Sequence, residues 1–321
     1  MEDEFRLLTL QVIGAAILSL EPAECDRVFP DLYLPVMTES NIRALRPWRK
    51  YLPLPSWFQY RSRVGRLNAY IIGLLRARWQ DRLDGHISKQ PDVLDRLMAS
   101  IEARGEAWSV GLETQLCYEI KTFLLAGHET SAAMLTWCLH ELTQHPECLA
   151  KVRGEADAVF GLDEDGQLPD RAAFESMPYT LAALRETLRK YSIVPVVTRK
   201  AVADSEVCGY HIPRGTYLVL TLRGVHDSWQ SPSEWQPERF MPGGEFDKFD
   251  ESSRPYMFLP FIQGPRNCLG QHFALLEARI VLGLLVKNFT FHTCRADAGV
   301  PNEAVIPIGP AHGMEMNVVR R

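Results

Sequence analysis

The chain has 321 residues, 46% apolar and 23% charged, enough to bury a sizeable core and too apolar for disorder to be the default. Its formal charge of −5 argues against a surface that tracks nucleic-acid phosphates, which calls for an excess of Lys and Arg. Seven cysteines without a Cys-x-x-Cys pair are too sparse for a disulfide framework and point to a reducing compartment.

Residues 4–20 carry apolar side chains at three- and four-residue spacing among charges, the pattern of an amphipathic helix, and the acidic opening fits no secretory signal. The prolines that follow, Pro30, Pro35, Pro47, Pro53 and Pro55, are expected to break helices or limit them to short pieces. Residues 57–79 and 92–104 predict two more helices. Residues 112–145 predict a long one, with Leu116, Ile120, Phe123, Gly127, Met134, Leu135 and Cys138 near one stripe and Pro146 ending it. Helices over 146–160 and 179–191 come next.

Beyond Tyr191, segments 193–202, 205–212 and 217–222 are rich in β-branched residues and separated by turn formers such as Pro213-Arg214-Gly215, so they predict short strands. A Pro- and Gly-rich coil over 231–263 precedes a strong helix over 269–286, and 289–292 and 314–319 read as closing strands. No apolar run approaches the ~20 residues of a bilayer-spanning helix, so the chain is expected to be soluble or peripherally attached. There is no internal repeat and no clean linker. The expected architecture is one domain over 1–321, mainly α with small β-sheets (α+β).

The strongest local signal is Phe261-Ile262-Gln263-Gly264-Pro265-Arg266-Asn267-Cys268-Leu269-Gly270. Phe261, Gly264, Arg266, Cys268 and Gly270 match the haem-binding signature of the cytochromes P-450, and five such positions coincide by chance with a probability of about 10⁻⁴ or less. The chemistry accounts for the residue types. A thiolate at Cys268 would ligate the iron, and its charge is stabilised just ahead of a helix N-terminus. Gly264 and Gly270 permit a tight loop and close approach to a porphyrin, Arg266 offers a forked donor for a propionate, and Phe261 would pack near the sulfur. The competing reading is a buried core cysteine beside a helix N-terminus.

Ala126-Gly127-His128-Glu129-Thr130-Ser131 sits mid-helix and resembles the oxygen-activation motif of the same family. A glycine inside a helix costs ~1 kcal/mol against alanine, so something should offset it. The resemblance implies that Ala126 and Gly127 let the helix approach the haem, that Thr130 stabilises activated oxygen, and that Glu129 relays protons as a general acid. The alternative is a Thr bonded back to a helix carbonyl beside a solvated Glu. A zinc-protease reading of His128-Glu129 or His140-Glu141 fails, because His-Glu-x-x-His needs histidines four apart, whereas Ala132 follows His128 at that spacing and His145 follows His140 by five.

Glu186 and Arg189 lie three apart on one predicted helix face, and Arg239 follows in Pro237-Glu238-Arg239-Phe240. By resemblance the three form a buried structural triad that locks the cysteine loop. Arg199, after Pro195-Val196-Val197-Thr198, would be a second propionate donor, with an exposed strand-end arginine as the alternative. No other histidine receives a role.

The resemblance thus implies a cytochrome P-450 fold, truncated at the N-terminus and lacking the family's anchor, first strands and early helices, with haem b (iron protoporphyrin IX) as cofactor. It implies a monooxygenase that inserts one atom of O2 into a small lipophilic substrate, with electrons from an NADPH-dependent reductase or a ferredoxin. A haem-thiolate isomerase or dehydratase of hydroperoxides, or an inactive remnant, are the other readings. Relatives of this kind sit on endoplasmic-reticulum or organelle membranes.

Overall fold

A computed structural model describes residues 1–52, 54–86, 88, 90–161, 169–303 and 306–321; Pro53 lies outside the described residues. Helix dominates, and the chain packs into two compact units, Arg6–Glu129 and Met1–Phe5 with Thr130–Arg321.

The Arg6–Glu129 unit contains most of α1 (Glu2–Leu18), then α2 (Pro22–Val28), a π-helical turn (Phe29–Tyr33), α3 (Leu34–Leu45), α4 (Pro55–Leu83), α5 (Val93–Ala103) and the first part of α6 (Val110–Gln144). Several prolines of this region start helices. Pro22, Pro35 and Pro55 fall in the first two positions of α2, α3 and α4, where a missing N–H costs nothing and a fixed φ favours the helix. Asp92 caps α5 through the Asp95 N–H at 2.8 Å while Asp95 accepts from the Asp92 N–H, and Arg78 Nη1 bonds both carboxylates at 2.9 Å. Leu10, Ile13, Ile17, Phe29, Leu67, Ile71, Met98, Ile120 and Leu124 share the core of this unit.

In the larger unit α7 (Pro146–Val159), α8 (Arg171–Glu175) and α9 (Pro178–Tyr191) follow the second part of α6. β1 (Val196–Lys200) pairs antiparallel with β4 (Tyr217–Thr221), and β2 (Ser205–Val207) pairs with β3 (Tyr210–Ile212). The expected single strand over 205–212 is therefore a hairpin. Its two central residues, Cys208 and Gly209, both take positive φ (50° and 80°), the requirement of a tight turn whose twist suits flanking strands. α10 (Leu222–His226) and α11 (Arg254–Met257) flank a stretch with 3₁₀ turns at Pro237–Phe240 and Phe246–Lys248, so the expected coil is partly ordered into short turns. α12 (Gln271–Asn288) begins two residues later than expected, after Gly270, and leads into β5 (Phe289–Thr293), paired with β6 (Met316–Arg320).

Leu135, Trp137, Ala156, Ala183, Leu184, Ala278, Leu282 and Val286 bring α6, α7, α9 and α12 into one core. A Cβ on Gly283 would lie 2.5 Å from the Phe160 ring, so this glycine lets α12 lie close against the end of α7. Among the described residues no single helix is long and apolar enough to cross a membrane.

Candidate functional site

The cysteine loop is held by its own backbone. The Cys268 N–H bonds the Phe261 carbonyl at 2.9 Å, the Asn267 N–H bonds that of Gly264 at 3.0 Å, and the Ile262 N–H bonds that of Leu259 at 3.1 Å. Gly264 has φ +88°, a conformation in which a Cβ is strained, whereas Gly270 has an ordinary φ of −87° and open space on its side-chain face. Phe261 packs on the core of the larger unit while Arg266, Cys268 and Leu269 are exposed, Leu269 at 83%. The reading of Cys268 as a core cysteine is thereby overturned: its thiol is presented at the surface, three residues ahead of α12.

Arg199 and Arg266 line one cleft of about 570 Å³, with Val219, Leu220, Leu259, Ile262 and Pro265 among its apolar walls. Arg199 is exposed on β1, and among the described residues its guanidinium bonds the neighbouring Thr198 carbonyl, at 2.9 Å. Arg266 makes no hydrogen bond or ion pair among the described residues. Two guanidiniums with donors to spare, an apolar wall and a surface thiol on one loop form a donor set that suits a flat, anionic, thiolate-ligated macrocycle.

Glu186, Arg189 and Arg239 meet in one buried ion cluster. Glu186 accepts from Arg189 Nε and Nη2 at 2.8 Å each, from Arg239 Nε at 3.2 Å and from the Gln236 N–H at 3.0 Å, and all three side chains are buried. Arg189 also donates to the Pro232 and Glu234 carbonyls at 2.9 Å, and Arg239 to the Ser231 carbonyl at 3.0 Å and to Glu245. Every face of the ion cluster is thus bonded, the condition for a buried network to stabilise rather than to strain.

His226, given no role from the sequence, links this cluster to the cysteine loop. Its carbonyl accepts from Arg189 Nη1 at 3.4 Å, its Nδ1 pairs with the Ser192 hydroxyl at 2.8 Å, and its Nε2 accepts the Leu259 N–H at 3.0 Å. Burial pushes its pKa down to about 4, so the ring stays neutral and Nε2 stays an acceptor. Its signal in the sequence was absent, because a lone histidine on a five-residue helix resembles any core histidine.

Along α6, Ala126 is exposed and Glu129 and Thr130 are half-buried. Gly127 departs from expectation. A Cβ there would lie 2.6 Å from Cδ1 and Cγ1 of Ile13, so the glycine accommodates α1, and its side-chain face is not open to a cofactor. Burial raises the pKa of Glu129 and the Arg6 charge opposes the rise, which suits a carboxyl that holds and releases a proton.

In the larger unit a second acid escaped the sequence reading. Glu277 on α12 is 7% exposed, neither carboxyl oxygen has a hydrogen-bond partner among the described residues, and burial pushes its pKa up to about 8. In the sequence it stands in an apolar helix beside Arg279, where it reads as a solvated charge.

Residues 8–308 match the family model described as Cytochrome P450. Human cytochrome P450 4V2 is 31% identical over 238 residues, 73% of this chain and 43% of that protein. Human cytochrome P450 2J2 is 31% identical over 81% of this chain and 50% of that protein. Arabidopsis thaliana LUTEIN DEFICIENT 5, a chloroplastic protein, is 28% identical over the whole of this chain and 55% of its own length. The chain spans about half the length of these curated relatives. The solved heme domain of cytochrome P450DA superposes with a TM-score of 0.80 at 23% identity, covering 100% of this chain and 68% of that one, and shows the same fold. Haem is the cofactor of this family, and a redox partner and O2 serve its chemistry. On the match over 8–308, the chain belongs to the cytochrome P450 family.

Proposed function

We propose that the chain carries the haem-thiolate centre of a monooxygenase that takes electrons from an NADPH-dependent reductase or a ferredoxin and oxidises a small lipophilic substrate. The observation that carries the reading is the surface-presented Cys268 on a loop whose neighbours Arg199 and Arg266 share one apolar-walled cleft. Haem b, when bound, supplies the redox-active iron that activates O2.

The chain's own residues supply the rest. Cys268 would hold the iron through its sulfur, with the N-terminus of α12 three residues on favouring its negative charge. Arg199 and Arg266 would pair with the propionates, and Gly264 and Gly270 would let the loop come close to the macrocycle, with Phe261 anchoring the loop to the core. Ala126 gives α6 a small exposed residue, the Thr130 hydroxyl orients oxygen, and Glu129 holds and delivers the proton. Glu186, Arg189 and Arg239 act at a distance by fixing the segment that leads into the loop.

Reconstitution with haem followed by the spectrum of the reduced, carbon-monoxide-bound form tests the reading. A red-shifted band typical of thiolate ligation is expected, and it should be lost in Cys268→Ser while the fold is retained. No such band in the native chain overturns it. Substrate oxidation should then require both an electron donor and O2.

A further inference from the structure

Within the Arg6–Glu129 unit, two polar groups are sealed together without partners. Tyr33, at the end of the π-helical turn, and His128 on α6 are each 0% exposed. Their rings meet edge to face with centroids 5.4 Å apart. The Tyr33 hydroxyl and His128 Nε2 have no hydrogen-bond partner among the described residues.

The ring's protonation follows from its other bond. His128 Nδ1 lies 2.9 Å from the Leu124 carbonyl, which can only accept, so Nδ1 carries the hydrogen. Burial depresses the imidazole pKa to about 4, so the ring is neutral near pH 7 and Nε2 offers a bare lone pair. Tyr33 is likewise held neutral, since burial and the nearby Glu129 charge both raise its pKa, so its hydroxyl has a hydrogen to give. A donor and an acceptor are therefore buried on two rings in contact, each at the full desolvation cost if left unmet. Direct contact is not made. One small molecule that is both donor and acceptor satisfies both, accepting from the phenol and donating to the imine nitrogen.

We propose that Tyr33 and His128 form an internal water site whose occupant fixes the hydrogen-bonding environment of Glu129, the next residue along α6. Tyr33 and His128 are positioning residues, because neither changes charge near neutral pH. The water keeps one further hydrogen and one lone pair for Glu129, and the Arg6 charge acts on both His128 and Glu129. The link to Glu129 rests on the proton-delivery reading above, whereas the water site does not.

Nitrogen NMR of histidine-labelled protein tests the site without turnover. His128 Nε2 should resonate as a hydrogen-bonded acceptor, with magnetisation transfer from water, and Tyr33→Phe should shift it. Tyr33→Phe should also lower the denaturation midpoint, because a satisfied hydroxyl is removed. A free-acceptor shift, or a midpoint that rises in Tyr33→Phe, overturns the water site by showing that the hydroxyl was unsatisfied. Coupling to Glu129 is read from the double-mutant cycle of Tyr33→Phe with Glu129→Gln: midpoint shifts that do not sum support it, and shifts that sum overturn it. Failure of the carbon-monoxide spectrum would leave the NMR result standing, so the two readings fail separately.

Discussion

A glycine in the middle of a helix needs a reason, and at Gly127 the reason is geometric. Its missing side chain makes room for Ile13, a buried residue of α1, where a Cβ would come within 2.6 Å of two side-chain carbons. Gly127→Ala gains about 1 kcal/mol of helix propensity. Against this stands overpacking of a close contact, typically about 1–3 kcal/mol, and branched Ile13 has few rotamers into which it can retreat. The expected net effect in chemical denaturation is destabilisation, whereas in the Ile13→Ala background the same substitution should be neutral or stabilising. If Gly127→Ala alone is stabilising, the contact with α1 is not what selects glycine here.

The element that organises the larger unit is α9 with its buried acid. Glu186 accepts four hydrogen bonds from two arginines and a backbone amide, and through Arg189 and His226 the cluster reaches the Leu259 amide at the base of the cysteine loop. Glu186→Ala strands two buried guanidiniums, a loss of about 3–5 kcal/mol. The amide of Leu259 should then exchange hydrogen faster, whereas a loss below about 1 kcal/mol would deny the cluster its structural role. The helices α6, α7, α9 and α12 were legible in the sequence because long amphipathic periods bounded by Pro146 and Gly270 leave few alternatives. The same holds for the loop from Phe261 to Gly270, whose glycines and cysteine are local in sequence. What stayed hidden depended on distant partners. Pro35 and Pro55 read as breakers but start helices, the 205–212 strand folds back at Cys208-Gly209, and His226 takes its meaning from Ser192 and Leu259, 34 and 33 residues away.

At the scale of the whole molecule, buried titratable groups set how stability varies with pH, and in the larger unit two of them oppose each other. His226 titrates near 6.5 unfolded and about 4 folded, so between these values the unfolded chain binds more protons and stability rises with pH. Glu277 titrates near 4.5 unfolded and about 8 folded, so in that window the folded chain holds the extra proton and stability falls with pH. Each contributes a slope of about 1.4 kcal/mol per pH unit. Between about 4.5 and 6.5 the two slopes cancel. From about 6.5 to 8 only the Glu277 slope remains, so the denaturation midpoint of the larger unit should decline across that range. Glu277→Gln keeps the size of the side chain and removes its proton, and should abolish the decline above pH 6.5 while exposing a rise with pH between 4.5 and 6.5 that Glu277 had masked. A wild-type profile that stays flat to pH 8 would mean that Glu277 is ionised in the folded state, and a decline that survives Glu277→Gln would assign it to another group.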